Sequence, residues 1–135
     1  MIKLSSDGPV VMVDDNGGDI FFVERCFDAS KVNNPFLSFR RGQEFLAMLE
    51  QVKSGQKAMP ALVLLDLNMP GMNGLDVLST VRADPFFNVM PIFCVLTSSR
   101  DPRDKERAQA LQVSGFFTKA ATMEEYISFF DALVA

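Results

Sequence analysis

Five residues whose types could do chemistry stand where apolar runs stop. Asp66 closes Ala61-Leu62-Val63-Leu64-Leu65 and opens Asp66-Leu67-Asn68-Met69-Pro70-Gly71-Met72-Asn73-Gly74, while Asp14 and Asp15 close Val10-Val11-Met12-Val13. A buried strand that ends in an acid presents its carboxylate at the carboxyl edge of a sheet, where open α/β sheets hold their ligands. Two such strands lying side by side would gather three carboxylates into one crevice, and that cluster repels itself unless protons or a cation neutralise it. An oxygen-only ligand set suits a hard, partly hydrated Mg²⁺ rather than zinc or copper, and the chain contains no His at all. Thr97 follows Ile92-Phe93-Cys94-Val95-Leu96, and Lys119 follows Phe116-Phe117-Thr118. On the same edge, acids, hydroxyl and ammonium outline a phosphoryl site with nucleophile, metal ligands, hydrogen-bond donor and counter-charge. Taken singly, Lys119 reads as a solvated strand-end lysine, Thr97 as a helix cap, and Asp14 or Asp15 as a cap on the next helix.

The elements that must position these residues alternate. Short β-rich runs near 9–13, 35–39, 61–65, 91–96 and 115–118 are separated by helical stretches near 18–29, 43–53, 74–83, 103–113 and 123–133, the pattern of βαβ units around a parallel sheet. Asp101-Pro102 reads as an N-cap and first helical residue, and Gly55 and Gly115 read as helix stops. Right-handed crossovers leave few topologies, of which the doubly wound order 2-1-3-4-5 sets the first and third strands side by side. The expected fold is therefore α/β, a five-stranded parallel sheet of the flavodoxin-like (β/α)5 type, with Asp14, Asp15 and Asp66 meeting at its switch point.

Composition narrows the function. A chain of 135 residues with 48% hydrophobic content builds one domain, expected over 1–135 without an output module. A net charge of −4 argues against a nucleic-acid surface and against anionic membranes. Neither a signal core nor a run of about 18 apolar residues is present, so a cytoplasmic location is expected, with Cys26 and Cys94 as reduced, buried thiols. Without His, the chain runs no Ser-His-Asp or Cys-His mechanism and donates no phosphohistidine of its own. The 13 Phe often fall in pairs, Phe21-Phe22, Phe86-Phe87, Phe116-Phe117 and Phe129-Phe130, and adjacent side chains cannot all face one core.

Val13-Asp14-Asp15-Asn16, the stretch from Leu65-Asp66 to Asn73-Gly74, Leu96-Thr97-Ser98 and Thr118-Lys119 together resemble the receiver domains of two-component response regulators, over essentially the whole chain. The tract from Arg82 to Ser99 further resembles stand-alone regulators paired with bacterial phytochromes. The resemblance implies that Asp66 accepts a phosphoryl group from a partner histidine kinase, a bacteriophytochrome in the narrower case, or from a histidine phosphotransfer protein. It implies Mg²⁺ held directly by Asp15, Asp66 and the Asn68 backbone carbonyl and through water by Asp14, with Thr97 and Lys119 on the phosphoryl group. Thr97 and Phe116 would act as the switch, altering the face made by the fourth helix, fifth strand and fifth helix; for Phe116, plain core packing stands as an equal reading.

One departure concerns the loop after the lysine. Receivers usually place a cis proline there, whereas this chain has Lys119-Ala120-Ala121. A cis bond before a non-proline residue costs about 2.5–4 kcal/mol, so a trans Lys119–Ala120 bond is expected, with Lys119 still reaching the crevice. Two rival functions share the residues. A phosphohydrolase with an aspartyl nucleophile usually carries a second acid two residues on, where this chain has Asn68. A receiver-like docking module or phosphate sink would carry no output of its own. A homodimer is expected from the last helix, where Met123, Ile127, Phe130 and Val134 follow a core-face pattern and Tyr126, Phe129 and Leu133 form a second apolar stripe left for a partner.

Overall fold

The computed structural model describes residues 2–4, 6–120 and 122–134. Five strands, β1 (Val10–Val13), β2 (Phe36–Phe39), β3 (Leu62–Leu65), β4 (Phe93–Thr97) and β5 (Gly115–Thr118), alternate with helices α1 (Gly17–Asp28), α2 (Gly42–Lys53), α3 (Gly74–Ala83), α4 (Pro102–Ala110) and α5 (Met123–Ala132). All strand pairs are parallel and the sheet runs β2-β1-β3-β4-β5, the doubly wound order expected. A single 3-10 turn, Pro85–Phe87, lies between α3 and β4.

The two-residue period of the central strands builds a separate core on each face. Val11, Val13, Val63, Leu65, Phe93 and Val95 pack with buried residues of α2, α3 and α4, including Phe45, Val77 and Ala108. Val10, Met12, Leu62, Leu64, Cys94 and Leu96 pack with Ile20, Val23 and Phe27 of α1, with Tyr126 and Phe130 of α5, and with Leu133 just past it. Because both faces are covered, β1, β3 and β4 are buried throughout, which is why they read as unbroken apolar runs. The paired Phe residues are divided between core and surface. Phe116 joins the first layer, Phe117 stays exposed, Phe87 is buried under an exposed Phe86, and Phe22 packs edge-on against Tyr126 while Phe21 points outward.

Local signals set most helix ends. Asn73 caps α3 in a reciprocal capping box with Asp76, Asp101 caps α4 with Pro102 as its first residue, and Gly55 takes φ +83° just past α2. Gly115 is a correction, since α4 ends at Ala110, Gln112 supplies the left-handed turn at φ 63°, and Gly115 opens β5. A Cβ at Gly115 would meet the Phe117 ring at 2.6 Å, so the glycine serves close packing rather than chain reversal.

The two stripes of α5 are also corrected. Tyr126, Phe130 and Leu133 face the core, whereas Met123 and Val134, assigned to the core stripe from the sequence, are exposed, and Ile127 and Phe129 are half-buried. Both stripes obeyed helical spacing, and the choice fell to the rings Phe22, Phe27 and Phe129 that surround Tyr126 and Phe130. The second stripe is therefore spent on folding and is not a free aromatic face. Cys26 and Cys94 are buried free thiols, and burial pushes the Cys94 thiol up to about 12.

Candidate phosphoryl site at the carboxyl edge

Backbone ladders run one step beyond the strands and carry the site with them. The Asp14 N–H donates to the Phe39 carbonyl at 3.1 Å, the Asp66 N–H to Val13 at 2.9 Å, and the Lys119 N–H to Thr97 at 2.9 Å. Asp14 and Asp66 are thus locked side by side and Lys119 beside Thr97. Asp14 continues the alternation of Val10 and Met12, and Asp66 that of Leu62 and Leu64, so both lie on the face covered by α1 and α5.

Carboxylate oxygens of Asp14, Asp15 and Asp66 come within 4.8 Å of one another. Asp14 is fully buried, Asp66 is 4% exposed, and Asp15 is half-buried at the rim. The Lys119 ammonium reaches them, 2.8 Å from Asp14 Oδ2 and 3.6 Å from Asp66 Oδ2. Burial opposes the charge of Lys119, but the Asp14 and Asp19 carboxylates beside it outweigh that and raise the lysine pKa. Burial also raises the pKa of Asp14, against the lowering effects of Lys119 and the Asn16 N–H, which donates to Oδ1 at 2.9 Å. Asp14 Oδ2 has the ion pair at 2.8 Å but no donor aligned as a hydrogen bond, which leaves a buried lone pair turned into the cluster. An all-oxygen donor set with such spare acceptor capacity fits a hard divalent cation.

The peptide bond after Lys119 is trans; among the described residues the cis bond is Met90–Pro91. The loop has another anchor, because the Ala120 N–H, which a proline would lack, donates to the Tyr126 hydroxyl at 3.2 Å. Ala121 lies outside the described residues. Thr97 is fully buried, and its hydroxyl accepts the Ser99 N–H at 3.2 Å, while the Ser99 hydroxyl donates to Asp104 of α4 at 2.6 Å. The Asn68 N–H lies 3.3 Å from Asp66 Oδ1. Phe116 is half-buried against the α2–α3–α4 layer.

Three residues escaped sequence reasoning. Asp19, in the first turn of α1, meets Lys119 at 2.6 Å. Its only sequence signal, three positions after the N-cap Asn16, is that of an ordinary helix-start acid. Arg40 donates to the Asp15 carbonyl through Nη2 at 2.9 Å and lies over Gly17. Tyr126 was assigned to an outward stripe and instead holds the lysine loop.

Removing the buried charge is expected to stabilise the cation-free protein. In Asp14→Asn the amide oxygen still accepts from Asn16, and Lys119 keeps Asp19 and Asp66. The gain is about 1–2 kcal/mol at pH 7.5, seen as a higher thermal midpoint. The sign follows from the raised pKa: the native state holds the Asp14 proton more tightly than the unfolded chain, so the Asp14 contribution worsens as pH rises from 3.8 through the raised value and then levels off. The advantage of Asp14→Asn should shrink as pH is lowered through that window, and Mg²⁺ should raise the wild-type midpoint more than that of the variant.

Three acids and a lysine gathered at the switch point of a doubly wound sheet place the chain among small α/β domains with an acidic crevice at the carboxyl edge. The chain belongs to the response regulator receiver domain family, which it matches over residues 10–130. Response regulator Rcp1 of Synechocystis sp. is 27% identical over 117 residues, covering 86% of this chain and 79% of that protein. A structure of Rcp1 in an Mn²⁺-bound form superposes with a TM-score of 0.78, covering 93% of this chain and 91% of that one. The phosphorylated cyanobacterial phytochrome response regulator RcpA is 28% identical, with a TM-score of 0.80 over 95% of this chain and 91% of that one. The bacteriophytochrome response regulator AtBRR is 30% identical, with a TM-score of 0.75 over 93% and 91%. Among the described residues no helix is long and apolar enough to cross a membrane.

Proposed function

We propose that this receiver accepts a phosphoryl group on Asp66 from the phosphohistidine of a partner histidine kinase or phosphotransfer protein, in a Mg²⁺-dependent reaction in the cytoplasm, and signals through a change in its α4–β5–α5 face. The observation that carries the reading is the convergence of Asp14, Asp15 and Asp66 within 4.8 Å, with the Lys119 ammonium beside them. Asp15, Asp66 and the Asn68 carbonyl would hold Mg²⁺, with Asp14 acting through water. When bound, the cation offsets charge on the phosphoryl oxygens. An Asp66 oxygen supplies the electron pair for the new O–P bond, the N–P bond of the donor breaks, and the released imidazole keeps the N–P bonding pair and takes a solvent proton. Lys119 adds a second positive charge, and burial of Asp14, Asp66 and Thr97 limits water at the reacting centre.

Release of the Ser99 N–H by Thr97 then couples the event to α4. A turn of the Thr97 side chain toward a phosphoryl oxygen would loosen that bond, and Ser99 is tied to Asp104. Phe116 would follow into the space beside β4. The likeness to RcpA and AtBRR supports a phytochrome-type kinase as the partner. Acetyl phosphate labelling with and without Mg²⁺ tests the reading, since a phosphohydrolase would turn the donor over continuously and a docking module would take no label.

Self-association through α4, β5 and α5 draws on the exposed Phe117 and Met123, with Phe117 edge-on to Phe129 at 5.4 Å. A dimer in light scattering at micromolar concentration that Phe117→Asp abolishes is the expected result. Monomers in both proteins, with and without phosphorylation, would end that reading.

A further inference from the structure

The Lys119 ammonium is shared unequally, and the share taken by Asp19 has a use. Nζ lies 2.6 Å from Asp19, 2.8 Å from Asp14 and 3.6 Å from Asp66. Asp19 belongs to α1 and stands 100 residues from the lysine in sequence, so its presence here is a product of α1 packing on the same face of the sheet as Asp14 and Asp66. The three partners differ in what losing the ammonium would cost them. Asp14 is fully buried and Oδ2 has no other donor, whereas the Asp19 side chain is 41% exposed and water can replace the lysine there. A cation entering among Asp14, Asp15 and Asp66 must coexist with that ammonium, and two positive charges in one crevice repel.

We infer that Asp19 is a positioning residue for Lys119: it draws the ammonium toward α1 and away from Asp66, so that the Asp14–Asp15–Asp66 cluster keeps enough negative charge to take a divalent cation. The inference rests on the reading of that cluster as a cation-binding phosphoryl site. Tyr126 complements Asp19 by fixing the backbone of the lysine loop through the Ala120 N–H, leaving the side chain to be steered by the acids. When a phosphoryl group on Asp66 adds negative charge, the solvated Asp19 is the partner that Lys119 gives up at least cost. Without Asp19 the ammonium would rest on Asp14 and Asp66 alone and oppose the cation more strongly.

A double-mutant cycle read by direct Mg²⁺ titration calorimetry tests the inference without relying on phosphorylation. Asp19→Asn is expected to weaken Mg²⁺ binding about fivefold in the wild-type background, the size of effect that moving one nearby charge produces in a partly solvated site. In a Lys119→Met background the same substitution should change binding less than about twofold, since an exposed carboxylate acting alone is screened. Asp19→Glu, which keeps the charge, should restore binding in the wild-type background. An equal loss in both backgrounds would show that Asp19 acts as a bare charge and not through the lysine, and would overturn the inference, as would the absence of any loss in the wild-type background. Loss of Asp66 labelling in the wild type with the coupling intact would instead defeat the proposed phosphoacceptor function and leave the role of Asp19 standing.

Discussion

Asp66→Asn is expected to reduce labelling by acetyl phosphate more than about a hundredfold, because the substitution removes the nucleophile and leaves almost everything else in place. The amide is nearly the size of the carboxylate, its oxygen can still accept the Asn68 N–H that lies 3.3 Å from Oδ1, and β3 stays buried on both faces. Folding should therefore survive, which thermal unfolding of the variant would check. The competing outcome is specific: Asp14 and Asp15 lie within the same 4.8 Å cluster and could take the label instead. Asp14 is disfavoured as an alternative nucleophile because it is fully buried, its carboxylate is ion-paired with Lys119 and burial raises its pKa. Asp15 stands half-buried at the rim, more open to water than Asp66. Peptide mapping of the labelled wild type should place the phosphoryl group on Asp66, and equal labelling of Asp66→Asn would end the assignment.

What could be read before the structure divides along a physical line. Strand identity and order were legible because β1, β3 and β4 are covered on both faces, so their apolar runs are continuous and their terminal acids stand out. Asp14 and Asp66 were legible for the same reason, each marking the first polar position past a buried strand. Choices that depend on packing between distant elements were not. Nothing in the spacing of α5 tells whether Met123 or Tyr126 faces inward, because both stripes have helical period, and the choice is made by rings of α1 and α5 itself. Gly115 looked like a helix stop because glycine serves chain reversal and close approach equally well, and only the neighbouring Phe117 ring shows which applies. Asp19 was hidden by its dual use: an acid in the first turn of a helix stabilises that helix whatever its side chain touches. The partner of such a residue is set by tertiary structure, here by a lysine 100 positions away.

Gly74→Ala should be severely destabilising for so small a change, costing about 3 kcal/mol or more in unfolding free energy. Gly74 is the first residue of α3, buried, and its N–H donates to the Leu67 carbonyl at 3.1 Å, so the helix start is bonded back onto the loop that leaves Asp66. A Cβ there would be driven into the Asp66 carbonyl oxygen and would sit 2.9 Å from Leu67 Cα. Both obstacles are backbone, so no side-chain rotation relieves them, and α3 or the Asp66–Asn68 segment has to move. Helix propensity runs the other way, since alanine is better than glycine by about 1 kcal/mol in a helix interior, though less at a terminal position. The steric term exceeds that gain. Moving the segment also shifts Asn68, whose carbonyl is a proposed Mg²⁺ ligand, so Mg²⁺ affinity and Asp66 labelling should fall along with stability. Gly71→Ala, in the same loop, provides the contrast: its φ of +77° strains any side chain, but no atom lies within 4 Å of the added Cβ. That variant should lose about 1 kcal/mol through backbone conformation alone. Urea unfolding of the two variants beside the wild type measures the difference, and a Gly74→Ala protein as stable as the wild type would show that the β3–α3 loop yields where the packing says it cannot.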